Sequence, residues 1–157
     1  MKILVIEDSR FLRATIERTL AKAGHEVTSA ADGREALLAA RHSLPALILL
    51  DMMLPGLEGT CVLKELKKDA STSDIPVIVL TGLSKTNEPK LKKAGAAAYV
   101  EKSSLDFGKN ANILIQTIAS VLGTDEGLVT HGQQRPATAD PETTVTKAGT
   151  GGQGGVA

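Results

Sequence analysis

Short apolar runs alternate with amphipathic stretches along the first 123 residues of the chain. The runs fall at 2–6, 26–30, 46–50, 77–80 and 97–100. Each is too short for a typical helix, and three of them are dominated by Val, Ile and Leu, so they predict strands. Runs 46–50 and 77–80 carry no polar position, which predicts strands buried on both faces, as in a parallel sheet. Between the runs, apolar residues recur at helical spacing. Ser9 is placed to cap a helix that aligns Leu12, Ile16 and Leu20 and ends at Gly24. Asp32 is placed to cap a second helix running to about His42. From Glu58 to Lys68, Val62, Leu63 and Leu66 share a face opposite Lys64, Glu65, Lys67 and Lys68. From 112 to 122, Ile113, Ile118, Val121 and Leu122 repeat before Gly123. The segment 84–94 contains Pro89, which suits a first helical turn and disfavours helix at the residue before it. A short fourth helix from residue 88 or 89, entered through a loop, is the expectation there.

Five strands alternating with five helical stretches predict an α/β fold, a doubly wound parallel sheet covered by helices on both faces. Composition then divides the chain. Residues 124–157 hold seven Gly, seven Thr and two Pro, with Leu128, Val129, Val145 and Val156 as their only large aliphatic residues. So little apolar surface does not offset the entropy of ordering a backbone. The expectation is a folded domain over 1–123 and a flexible tail or linker stub over 124–157. Charge follows the same division: 16 basic and 14 acidic residues in the first part, two and four in the second.

The whole chain balances 18 basic against 18 acidic residues, which speaks against a protein that coats nucleic acid or an anionic membrane. Phe11, Tyr99 and Phe107 are the only aromatic residues, too few for a base-stacking platform. A single cysteine, Cys61, excludes an intrachain disulfide and fits poorly with a cysteine-based zinc site. No run approaches the ~20 apolar residues of a membrane-spanning helix. The opening MKILVIEDS reaches two acids by position 8, unlike a secretory signal. A cytoplasmic protein is the expectation.

In open parallel sheets, ligands bind beyond the carboxyl ends of the strands. Here the first strand ends in Glu7-Asp8, the third in Asp51, the fourth in Thr81-Gly82 and the fifth in Glu101-Lys102. The second, ending in Ala30-Ala31-Asp32, offers no comparable group. Three carboxylates brought together repel and call for a cation. Mg2+ suits carboxylate, carbonyl and water oxygens and accepts phosphate as a further ligand. Lys102 supplies a mobile positive charge for phosphoryl oxygens, and Thr81 a neutral donor. An aspartate in such company is a nucleophile toward phosphorus, with stabilisation mostly positional and electrostatic. Each residue also has a plain structural reading. Asp51 could form a turn, Glu7 and Asp8 could favour the first helix N-terminus, Thr81 could be a buried strand hydroxyl, and Lys102 a solvated charge. Four chemically matched strand ends in one chain weigh against that set of coincidences.

The pieces Val5-Ile-Glu-Asp-Ser9, Leu49-Leu-Asp-Met-Met-Leu-Pro-Gly56, Val79-Leu-Thr-Gly82 and Gly95-Ala-Ala-Ala-Tyr-Val-Glu-Lys102, in this order, resemble the receiver domain of two-component response regulators. The resemblance spans nearly all of 1–123. It implies a flavodoxin-like sheet of strand order 2-1-3-4-5. It implies Asp51 as phosphoacceptor from a sensor histidine kinase or phosphotransfer protein. It further implies Mg2+ held by Asp8, Asp51 and the Met53 carbonyl, with Glu7 acting through a water. Thr81 and Lys102 would contact the phosphoryl group, and Tyr99 would be the switch aromatic. The output would be a protein target on the face of the fourth helix, fifth strand and fifth helix, without direct binding to nucleic acid or membrane. Such a domain catalyses its own phosphotransfer and dephosphorylation without being an enzyme in the turnover sense.

The chain departs from the family at Ser103, where most receivers carry proline, in the following segment 104–110, and in the short fourth helix. Met53 and Leu83, two residues beyond the phosphoacceptor and the threonine, are apolar, so neither orients a hydrolytic water and slow self-dephosphorylation is expected. Two other functions compete. An aspartate-nucleophile phosphatase would need a second acid two residues after Asp51, where Met53 stands. A receiver-like scaffold that is never phosphorylated would not require the acids, Thr81 and Lys102 together.

Overall fold

The structure is a computed structural model that describes residues 1–82, 88–105 and 111–123. The expected tail, 124–157, and Leu83 and Phe107 lie outside the described residues. The strands are β1 (Lys2–Ile6), β2 (Glu26–Ala30), β3 (Leu47–Asp51), β4 (Val77–Thr81) and β5 (Ala98–Glu101). The helices are α1 (Arg10–Lys22), α2 (Gly33–Ser43), α3 (Gly59–Lys68), α4 (Glu88–Lys93) and α5 (Ala111–Leu122), with a 3-10 turn at Lys102–Ser104. All pairings are parallel and the order is β2-β1-β3-β4-β5, as the family resemblance implied.

The period-two alternation of strand side chains builds two cores from one sheet. Leu4, Ile6, Ile48, Leu50, Val77 and Val79 face Ala36, Ala40, Val62, Leu63, Leu66 and Leu91 of α2, α3 and α4. Ile3, Val5, Leu47, Leu49, Ile78 and Leu80 face Ile16 and Leu20 of α1 and Leu114 and Ile118 of α5. Both β3 and β4 are buried along their whole length, as the polar-free runs predicted.

Helix starts follow the capping signals. Ser9 Oγ accepts the Leu12 amide at 3.3 Å, and Asp32 Oδ1 accepts the Glu35 amide at 2.9 Å. Glu35 answers with Oε2 on the Ala31 amide at 2.8 Å, so α2 is clasped from both sides of its cap. The short α4 starts at Glu88, in line with Pro89 in its first turn.

The strands end slightly later than the apolar runs. Asp51 pairs with Leu80, and Thr81 pairs with Glu101. The ladder therefore carries these polar residues as its last rungs, because a backbone pair forms regardless of side-chain polarity. Likewise β5 is 98–101 rather than 97–100. Asp51 and Thr81 thus sit on regular strand backbone at the carboxyl edge of the sheet, while Glu7, Asp8 and Lys102 lie just beyond their strands.

Candidate functional site: an acidic pocket closed by a lysine

The ends of β1, β3 and β5 converge. Glu7 and Asp51 are fully buried, while Asp8 stands exposed at the mouth. One carboxylate oxygen from each of Glu7, Asp8 and Asp51 lies within 4.8 Å of the others. Lys102 reaches in from the 3-10 turn and places Nζ 2.9 Å from Glu7 Oε2 and 2.9 Å from Asp51 Oδ2. That turn closes through Ser104 Oγ, which donates to Glu101 O at 2.7 Å, and through the Leu105 amide on Lys102 O at 3.1 Å. Ser103 therefore does not displace the lysine from the site.

Glu7 is fixed at three of its polar atoms by hydrogen bonds. Its amide donates to Ala30 O at 3.1 Å, its carbonyl accepts from Arg13 Nη1 at 2.8 Å, and its Oε1 accepts the Ser9 amide at 3.0 Å. Asp51 is held through Oδ1, which accepts the Met53 amide at 3.0 Å. The remaining oxygens, Glu7 Oε2 and Asp51 Oδ2, are buried, and they share the Lys102 ammonium, 2.9 Å from each, as their donor. Thr81, also buried, ends the neighbouring β4.

Burial raises the Glu7 carboxyl above the ordinary range; the charge of Asp51 adds to this, while Lys102 and the Ser9 amide oppose it. Burial alone would lower Lys102, but Asp51 and Glu7 outweigh it and hold the ammonium above the usual lysine value. One ammonium thus meets two of the three carboxylates, and the balance stays negative. Two buried carboxylate oxygens that share one ammonium, with Asp8 beside them in an all-oxygen set, fit a hard divalent cation of the Mg2+ type.

The loop between β3 and α3 passes so close to the site that only glycine fits at position 59. A Cβ there would lie 2.5 Å from Asp51 O and 2.5 Å from Met52 Cα. The Gly59 amide closes this corner on Met52 O at 3.1 Å. Met53 leaves the corner with an exposed side chain, 68% accessible. Tyr99 is set apart from the acids: half-buried on β5, its hydroxyl donates to Glu88 Oε2 at 2.8 Å on α4.

Sequence reasoning named Glu7, Asp8, Asp51 and Lys102, and the structure brings these four together. It did not find Arg13, whose partner is a backbone carbonyl and leaves no side-chain pattern. Nor did it find Gly59, for which the only signal is a glycine at the start of an otherwise strong helix.

A family model described as "Response regulator receiver domain" matches residues 3–109. Protein PilH of Pseudomonas aeruginosa is 34% identical over 122 residues, covering 77% of this chain and 97% of PilH. A probable transcriptional regulator, ycf27 of Porphyridium aerugineum, is 45% identical over 87 residues, 55% of this chain. The match takes in only 35% of that relative's length. The crystal structure of the receiver domain of sensor histidine kinase PA1611 from Pseudomonas aeruginosa has a magnesium ion coordinated in its active site cleft. It superposes with a TM-score of 0.67 at 27% identity, covering 78% of this chain and 97% of that one.

Proposed function

Because the chain belongs to the response regulator receiver domain family, we propose that Asp51 accepts a phosphoryl group from a histidine kinase or phosphotransfer protein. The observation that carries this reading is the pair of buried carboxylate oxygens, Glu7 Oε2 and Asp51 Oδ2, that share one mobile ammonium. Buried charges are normally matched by partners, and here two carboxylates are left with one ammonium. In the PA1611 receiver, the corresponding cleft coordinates magnesium.

Asp8, Asp51 and the Met53 carbonyl would hold Mg2+, with Glu7 acting through a water. When bound, the ion supplies a positive charge that lets the carboxylates and an incoming phosphoryl group share one space. An Asp51 oxygen then forms the new bond to phosphorus as the phosphorus–nitrogen bond of the donor phosphohistidine breaks. The electron pair leaves with the imidazole, which takes a proton from solvent. Lys102 exchanges its carboxylate contacts for the phosphoryl oxygens, and the Thr81 hydroxyl donates to another. The phosphoryl group carries roughly −1.5 to −2 of charge, which replaces the single negative charge of the Asp51 carboxylate at the β3 end. Thr81 and then Tyr99 carry the response to the α4–β5–α5 face, where a protein target binds.

The phosphatase reading has no support at its required second acid, since Met53 points its thioether side chain to solvent. Among the described residues, no helix is long and apolar enough to cross a membrane, which accords with a cytoplasmic signalling partner. The test is incubation with acetyl phosphate and Mg2+, followed by intact-mass measurement. The native chain gains one phosphoryl group and the Asp51→Asn variant none. An unmodified native chain would instead favour the scaffold.

A further inference from the structure

Glu7 and Asp8 follow β1 directly, and any cation they hold depends on the geometry of that corner. One side chain spans it. Arg13, one turn into α1, donates from Nη1 to Glu7 O at 2.8 Å and lies 3.5 Å from Asp8 O. Its side chain is largely covered, 20% accessible, and the acid it pairs with, Glu17, is 4.0 Å away. The short bond therefore goes to the backbone of the acidic pair rather than to a charged partner. It ties the end of β1 to the first turn of α1, whose own start is set by Ser9 Oγ on the Leu12 amide. With the Ser9 amide holding Glu7 Oε1, this corner has few remaining ways to rotate.

We propose that Arg13 is a positioning residue for the divalent cation: by clasping the Glu7 and Asp8 carbonyls, it presents both carboxylates to the site. The inference rests on the reading of the site as a cation-dependent receiver. It makes a prediction opposite to simple electrostatics. A guanidinium near a cation site repels the cation, so if charge were its only effect, removing it would tighten binding. If Arg13 works through geometry, removing it weakens binding, as loss of groups that orient metal ligands generally does. Both contacts are made by Nη1; lysine keeps the charge, but its shorter side chain and unfixed ammonium do not hold a nitrogen at that point.

The experiment titrates Mg2+ into the full chain and follows the backbone amide resonances of Asp8, Ser9 and Met53 by NMR. Native protein is compared with Arg13→Met, Arg13→Lys and, as a control, Glu17→Gln. Arg13→Met and Arg13→Lys each bind Mg2+ about tenfold more weakly, the low end for lost support of metal ligands, while Glu17→Gln matches the native chain. Circular dichroism in chelator checks that each variant is folded, and Arg13→Lys carries the test if Arg13→Met is not. Tighter binding by Arg13→Met with unchanged Arg13→Lys would make Arg13 a mere charge and overturn the inference. Native affinity in both variants would overturn it equally. A native chain whose resonances ignore Mg2+ would overturn the receiver reading along with it, so the two failures are distinguishable.

Discussion

Lys67 and Lys102 are both partly buried lysines, yet they sit at opposite ends of the sheet and in opposite chemistry. Lys67 leaves α3 near the start of β4 and donates to two neutral carbonyls, Ser73 O at 3.1 Å and Ile75 O at 2.8 Å, while its stem covers Gly95. Burial pulls its ammonium below the ordinary lysine range, with Asp74 only partly offsetting this. Lys102, at the carboxyl end, meets two carboxylates, and they hold it above that range. The first region has satisfied its donors within the protein and so is finished. The second sets two buried carboxylates and the exposed Asp8 against one ammonium and so keeps an excess of negative charge, the feature on which the proposed function rests. Completeness of partners, rather than burial, separates scaffold from site.

Substitution of each lysine should break the pair in different observables. Lys102→Met removes the charge facing the phosphoryl oxygens, and phosphorylation by acetyl phosphate should slow by about 100-fold, as for loss of one preorganised stabilising group. Initial rates from intact-mass time courses measure it. Lys67→Met should leave that rate within about twofold but cost about 1–3 kcal/mol of stability by stranding the two carbonyls. Urea denaturation reads this as a lower midpoint with unchanged slope. A Lys67 variant that loses phosphorylation rate without losing stability would erase the distinction.

Smaller effects sharpen the contrast. The exposed Met53 side chain offers a hydrolytic water no hydrogen bond, so Met53→Asn should shed the phosphoryl group a few-fold faster than the native chain. Phosphate release from purified, loaded protein checks the sign. At the far end, the Ser71 hydroxyl and amide and then Arg41 hold Asp69 at about 2, below its usual 3.8. A carboxylate lowered on folding stabilises above its unfolded value and loses that contribution as pH falls toward the folded one. The stability difference between native chain and Asp69→Asn should thus be constant from pH 7 to 5 and fade between about 4 and 2. The group is exposed, so the difference is small, and phosphorylation rate should not follow it.

The parts of the molecule set by local pattern were legible in the chain. Ser9 and Asp32 announce their helices, the polar-free runs announce the central strands, and Asp51, Glu7 and Lys102 stand out as polar residues closing apolar strands. What was hidden depends on contacts made across the fold. Lys67 reads as one more charge on the polar face of α3, because its carbonyl partners, Ser73 and Ile75, come near only through the fold. Arg13 reads as one more charge on an amphipathic helix until the β1 corner folds over it. The Tyr99–Glu88 bond joins two elements through a pairing that neither sequence segment signals. Asp51 and Thr81 belong to the strands because parallel pairing extends past the apolar run.

The central claim is that the pocket of Glu7, Asp8, Asp51 and Lys102 exists to carry a phosphoryl group on Asp51. Peptide mapping of the chain after acetyl phosphate treatment, with Mg2+ or with chelator, tests it most directly. The account predicts a single modified peptide containing Asp51, formed with Mg2+ and lost with chelator. A modification on any other residue, or an Asp51 adduct formed equally well in chelator, would contradict it.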